Sequence, residues 1–282
     1  MIMDKERFWQ IIDTARESAG RWQDMYEPLV DELSKLDAND IVRFKHIFDE
    51  YQKLSYKDKL WAAATVMMNG CSDDGFDYFR GWLTAQGKDV FLEALADPDS
   101  LANLDIVKTL AVDVQTLEYM PPNGYAEAPR FEAMLYTPSV AYERVTGESG
   151  GLGIYYRLDD NPLTSQGKAD IANDITYSAD IDTKWFDWDT SREEIASALN
   201  KLVPNLVGIF SGGASLQVNA TNEKEKTEII NTIENVSPDK VVDAKKPVNQ
   251  ESVLDKIKRA KKEPSKQPKF KGKSQKKIES DR

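Results

Sequence analysis

Apolar side chains in this chain recur every three or four residues over long stretches, the spacing of a helix that buries one face. The first stretch has Asp4 as an N-cap, then Phe8, Ile11, Ile12 and Ala15 on one side and Gly20 as a stop. Trp22, Tyr26, Leu29, Leu33 and Leu36 mark a second face. A turn and cap at residues 38–40 lead to a third, carried by Ile41, Phe44, Phe48 and Tyr51. Residues 57–70 are apolar nearly all round after a charged start, which predicts a helix enclosed by the others, with Asn69 and Gly70 in its C-terminal turn. Phe76, Phe79 and Leu83 share the next face; Gly87 separates it from a helix bearing Phe91, Leu92 and Leu95, which Pro98 ends. After a loop at residues 121–124, Phe131, Met134 and Leu135 form a helical stretch that Pro138 breaks or re-caps before Tyr142 and Val145.

From residue 147 to 190 the pattern weakens. Ile175, Tyr177, Ala179 and Ile181 alternate with period two, as a short strand or an ordered loop does. Thr190 and Glu193 make a capping box for a helix with Ile195, Leu199 and Leu202, which Pro204 ends or bends. A flexible SGG at 211–213 opens a small appendix in which Leu216 and Val218 alternate and Ile229, Ile230, Ile233 and Val236 return to helical spacing. Past Ser237 the chain is Lys, Pro, Gln and Ser with few large apolar groups, too few to offset the entropy of ordering it; only 251–262 has the spacing of a short helix, marginal without a partner. The reading is a mainly α chain: a compact multi-helix domain over 1–210 with at most a minor β element, an appendix at 211–236 and a disordered basic tail at 237–282.

Composition narrows the classes. With 40% hydrophobic residues, 282 residues can bury the core of one or two domains. The longest apolar run, Leu60 to Met68, is half of the roughly 18 residues that a spanning helix needs, so no membrane is expected. Charge fills the N-terminus where a secretory signal has its apolar stretch, and a single cysteine fits a reducing compartment; both place the chain in the cytoplasm. Cys71 and His46 alone cannot build a structural zinc site, although carboxylate-bound magnesium or calcium stays open. The glycines of residues 147–153 lack the spacing and the Lys-Ser or Lys-Thr ending of a phosphate loop, and no cofactor is expected. The net charge of −11 conceals a division: residues 237–282 hold 15 basic against 7 acidic side chains, +8, and the remaining 22 against 41 leave −19. Such a tail attracts nucleic acid, an acidic partner or its own acidic body by charge alone.

Candidate chemistry gathers at Cys71, Asp73, Asp74, Asp77 and Arg80, with Tyr78 and Trp82 beside them. The bland reading has Asp73 or Asp74 capping a helix while Asp77 and Arg80 pair at a spacing of three. The sharper one has Asp73 and Asp74 holding a hard cation and Arg80 gripping a carboxylate or phosphate at two points. Two aspartates oppose a Cys71 thiolate, so a small buried core residue is expected there. His46 reads as an ordinary, partly exposed histidine unless the fold brings it to the cluster. Trp9, Trp22, Trp61 and Trp82 have core spacing, whereas Trp185, Phe186 and Trp188 with Asp187 and Asp189 form WFDWD outside a clear helix, the best candidate for an exposed recognition edge.

CSDDGFDYFRGWLTAQG at 71–87 resembles the bacterial family of domain of unknown function 4240. The helix around Phe8 and Trp9, ALADPDSLA at 94–102 and AYERVTG at 141–147 follow in the order that the resemblance leads one to expect. WFDWDTSREEIASALNKLVPNL at 185–206 is a looser likeness, so the resemblance spans roughly the first three quarters of the chain. It implies no activity, catalytic residue or partner. The functional reading is therefore a binding or regulatory module without catalysis, acting on a protein partner. Its rivals are an enzyme or ligand-binding protein with a polar site around Asp73, Asp74 and Arg80, and a nucleic-acid-associated accessory protein acting through its basic tail.

Overall fold

A computed structural model describes residues 3–116, 128–148, 153–159, 162–187 and 189–211. The loop at 121–124, Trp188, the appendix beyond 211 and the basic tail lie outside the described residues. α1 (Lys5–Ala19) begins where Asp4 accepts from the Arg7 N–H at 2.9 Å and ends at Gly20, whose φ of +71° lets its own N–H reach the Arg16 carbonyl. The second apolar face divides into a 3-10 turn (Trp22–Asp24) and α2 (Tyr26–Leu33). α3 (Ala38–Leu54) takes in residues 38–40, which the sequence suggests as a turn; Asp37 is the N-cap, accepting from the Asp40 N–H at 2.9 Å. α4 (Asp58–Met67) is the enclosed helix, with Leu60 and Ala62 to Ala64 fully buried and Asn69 and Gly70 at positive φ after it.

α5 (Asp73–Ala85) and α6 (Lys88–Ala96) meet at Gly87, and a 3-10 turn (Pro98–Asn103) leads into α7 (Asp105–Thr116). A further 3-10 turn (Glu132–Leu135) precedes α8 (Thr137–Thr146), where Pro138 sits in the first turn and its missing N–H is not needed. Then come α9 (Ser165–Ala172), α10 (Arg192–Leu202) and α11 (Pro204–Phe210). The N-cap of α10 is Ser191, not Thr190, and it closes the capping box with Glu194. Pro204 ends α10 and opens α11.

No strand occurs among the described residues. The period-two stretch at 175–181 is an ordered loop with Ile175 and Ile181 buried. Its backbone bonds to helices instead of to a neighbouring strand: Ile181 C=O accepts from the Lys59 N–H at 2.9 Å and the Ser178 N–H donates to Leu95 at 3.2 Å. Alternating side chains bury one edge here, but a strand also needs a ladder partner.

α1 packs on α2, α3 and α5, and α8 covers α2 and α3. At their centre Phe8, Trp9, Phe44, Tyr51 and Phe91 contact one another ring to ring, and the Trp9 indole donates to the Tyr51 hydroxyl at 2.9 Å, satisfying both polar atoms in the interior. α4, α7 and the turn at Pro98–Asn103 receive α11, so the last described helix closes onto the N-terminal bundle.

Candidate functional site

The start of α5 is capped by Ser72, whose hydroxyl accepts from the Gly75 N–H at 3.1 Å; neither Asp73 nor Asp74 takes that place. Both aspartates lie exposed in the first turn, where their charge complements the helix dipole. Asp73 Oδ1 accepts from the Tyr56 hydroxyl at 2.7 Å. Arg80, two turns further along the helix, is 5% exposed. One terminal nitrogen pairs with Asp77 a turn earlier, the other donates to the Gln52 carbonyl near the end of α3, and the guanidinium lies over the rings of Tyr56 and Phe76 at 4.8 and 4.9 Å. Its terminal nitrogens are thus committed inside the protein. Burial lowers the Arg80 pKa against the pull of Asp77, and burial raises that of Asp77 against the pull of Arg80, with Asp73 and Asp74 adding to the rise.

A row of rings runs outward from this cluster. Trp61 stacks parallel on Phe76 with centroids 5.0 Å apart, Tyr56 meets both edge-on at 5.7 and 5.5 Å, and Phe186 meets Trp61 edge-on at 5.7 Å. Inward, Phe76 leads to Phe79 and Phe79 to Trp82, which is 1% exposed. The fold therefore joins the start of α5 to the WFDWD loop, with Trp61 as the link. Helical spacing places Trp61 and Trp22 in the core, yet both are only partly buried at its margin. Trp82 lies at the far end, lining an apolar cavity of about 150 Å³ with Trp22, Ile106, Val107 and Leu110.

The loop that presents Phe186 is held at several points. The Trp185 indole, itself buried, donates to the Asp58 carbonyl at 2.9 Å; Lys59 reaches both oxygens of Asp180 at 3.0 and 3.1 Å; Lys57 reaches both oxygens of Asp182 at 3.0 Å. Tyr56 and Phe186 remain 47% and 37% exposed, two of the five large apolar side chains so exposed among the described residues.

Acidity surrounds the rings. Asp73, Asp74, Asp182 and Asp187 are exposed, and the Asp58 carboxyl is raised first by burial and then by Asp182, against the pull of Lys184 and Lys57. The Tyr56 phenol is pushed up to about 12, by burial and by its bond to Asp73. Cys71 is half-buried, with its carbonyl accepting from the Trp61 indole at 2.9 Å, and burial pushes its thiol up to about 12 although Arg130 opposes the shift. At neutral pH it is a thiol, not a nucleophilic thiolate. His46 lies elsewhere: burial lowers its pKa, Asp49, the Leu158 backbone, Lys45 and Arg43 are the groups that act on it, and its buried Nε2 has no hydrogen-bond partner among the described residues. Among the described residues no group of three or more His, Cys, Asp or Glu is placed to hold a metal ion, and no helix is long and apolar enough to cross a membrane. A larger groove of about 630 Å³ between α1 and the α5–α6 junction is lined by Asp13, Arg16, Glu6 and Lys88, whose charges are paired with one another.

The family described as "Protein of unknown function (DUF4240)" matches residues 3–144, half of the chain. No curated protein and no solved structure matches. The matched residues carry α1 to α7 and nearly all of α8, including the whole α5 cluster with Tyr56 and Trp61. Phe186 and its loop, α10 and α11 lie beyond them, so the match is shorter than the three quarters that the resemblance spans. On that match the chain belongs to the DUF4240 family of proteins of unknown function.

Proposed function

We propose that the protein is a cytoplasmic binding or regulatory module without catalysis, and that its binding edge is the ring row Tyr56, Trp61 and Phe186 standing on Asp73, Asp74, Asp77 and Arg80. One observation carries this reading: the Arg80 guanidinium and the Cys71 thiol are engaged inside the protein while the rings beside them face solvent. Arg80 is enclosed, Asp77 is paired with it, and the Cys71 thiol is held protonated by burial. Tyr56 and Phe186 are the exposed members of one continuous aromatic cluster. Aromatic anchors at the surface are the residues that carry binding energy at protein interfaces.

The rival site for a cation or small ligand needs Asp73, Asp74 and Arg80 to converge, and Arg80 turns inward while both aspartates face solvent. We place the end of the binding domain near residue 210, after α11, with 211–236 and the basic tail as additions to it. The test is a quantitative comparison of the proteins that co-purify with the full chain and with a Tyr56→Ala/Phe186→Ala variant of unchanged circular dichroism and melting temperature. Selective loss of a partner from the variant supports the edge; the same partners at the same yields refute it.

A further inference from the structure

We infer that this edge takes a lysine- or arginine-rich segment of a partner protein, an inference that rests on the binding reading above. Two independent features of the edge select such an occupant. The first is the rings. An exposed aromatic face attracts a cation, and the methylene stem of Lys or Arg lies along neighbouring apolar surface. The protein makes this contact twice within the same region: the Arg80 guanidinium over Tyr56 and Phe76, and the Lys57 ammonium 4.7 Å from the centre of the Tyr177 ring.

The second is charge. The segments that carry the rings also carry exposed Asp73, Asp74, Asp182 and Asp187, with Asp77 partly exposed behind them. Of the cations nearby, Lys184 is exposed two residues before Phe186 and Arg130 lies beside the start of α5, while three others are engaged. Lys57 is paired with Asp182, Lys59 is buried against Asp180, and Arg80 is enclosed with Asp77. Carboxylates there act on one another, Asp73 and Asp74 on Asp77 against the pull of Arg80, and Asp182 on Asp58 against Lys184 and Lys57, and an incoming cation adds to the opposing side. The net charge of −11, split as −19 over residues 1–236 and +8 over the tail, draws polycations toward the body from a distance, the chain's own tail among them. An acidic segment meets like charge on this edge, and a purely apolar helix meets carboxylates where it needs a continuous apolar groove.

The experiment titrates the full chain with a synthetic lysine-rich peptide and with its glutamate counterpart, read by calorimetry and by nuclear magnetic resonance shifts. Both run at about 0.01 M and about 0.15 M ionic strength, between which the Debye length falls from about 30 Å to about 8 Å. The lysine peptide is expected to bind, to weaken about tenfold or more across that range, and to shift the resonances of Tyr56, Trp61 and Phe186. Tyr56→Ala/Phe186→Ala is expected to lower its affinity about fivefold. Asp73→Asn/Asp74→Asn, at two exposed positions where shape is kept, is expected to lower it by a similar factor and to flatten the salt dependence. No binding of the lysine peptide, or binding unchanged in both variants, overturns the inference. Binding of an uncharged leucine-rich peptide that is lost in the Tyr56/Phe186 variant overturns the cationic partner while leaving the edge standing. Self-association that rises with concentration and disappears in the same variant assigns the edge to a second copy and likewise overturns it.

Discussion

Replacing Asp99 by alanine should loosen the far end of the chain from the bundle. Asp99 is 5% exposed in the turn at Pro98–Asn103, and its two oxygens accept from the N–H groups of Asn205 at 3.0 Å and Leu206 at 2.9 Å. These are unsatisfied donors at the start of α11, where the preceding Val203 supplies no side-chain cap. Asp99 therefore caps a helix more than a hundred residues away, and fully buried Val203 and Leu206, with Val207 beside them, depend on that docking. A hydrogen bond to a charged group contributes about 1.5–3 kcal/mol, and the carboxylate's own burial offsets part of two such bonds, so Asp99→Ala should lower stability by about 2–4 kcal/mol. At 1.4 kcal/mol per factor of ten, opening of α11 becomes about thirtyfold more frequent or greater. Urea unfolding measures the first quantity, and hydrogen exchange at the Asn205 and Leu206 amides measures the second. Asp99→Asn keeps one acceptor oxygen and should fall between. A loss below about 0.5 kcal/mol with unchanged exchange at both amides would show that something else holds α11, and the reasoning would fail.

Two further outcomes follow from the packing. At Gly81 an added Cβ would lie 2.7 Å from the Phe131 carbonyl oxygen, and the Phe131 N–H is tied to Tyr78 C=O at 2.9 Å, so the clash is with backbone that cannot swing away. Gly81→Ala should cost about 1–3 kcal/mol despite its better helix propensity, and an unchanged melting temperature would contradict the close approach. Burial holds the His46 imidazole neutral below its ordinary 6.5, so as pH falls the unfolded chain takes up that proton first. Stability linked to His46 is whole above pH 6.5 and is lost as pH falls through the lower folded-state value. His46→Gln should therefore show a flatter loss of stability than the parent between about pH 7 and about pH 5, and equal slopes would remove His46 as the cause.

The helices were legible because their signal is local. Phe8, Ile11, Ile12 and Ala15 repeat on one face of α1, Asp4 and Gly20 bound it, and nothing outside that segment is needed to read it. Errors at the helix starts have a common cause. Ser72 stands beside Asp73 and Asp74, and Ser191 beside Thr190, and every one of these residues is chemically able to cap. The backbone chooses among them, since Ser72 and Ser191 hold the extended conformation that points an oxygen back at the helix. At 175–181 the alternation was real, but a strand is defined by its partner, and the neighbours supplied by the fold are α4 and α6. Asp77 and Arg80 could be paired from their spacing; that Arg80 would be enclosed between Tyr56, Phe76 and Gln52 could not.

The sequence by itself determined a mainly helical N-terminal three quarters, the positions that face its interior, and the split between an acidic body and a basic end. These follow from hydrogen bonds that close within four residues and from side chains that repeat with the helix turn. Only the tertiary structure decided that Phe186 would reach Trp61, that Tyr56 would bond to Asp73, and that Asp99 would cap α11. Those meetings span from 17 to 125 residues and depend on how helices pack, which periodicity along one helix does not encode.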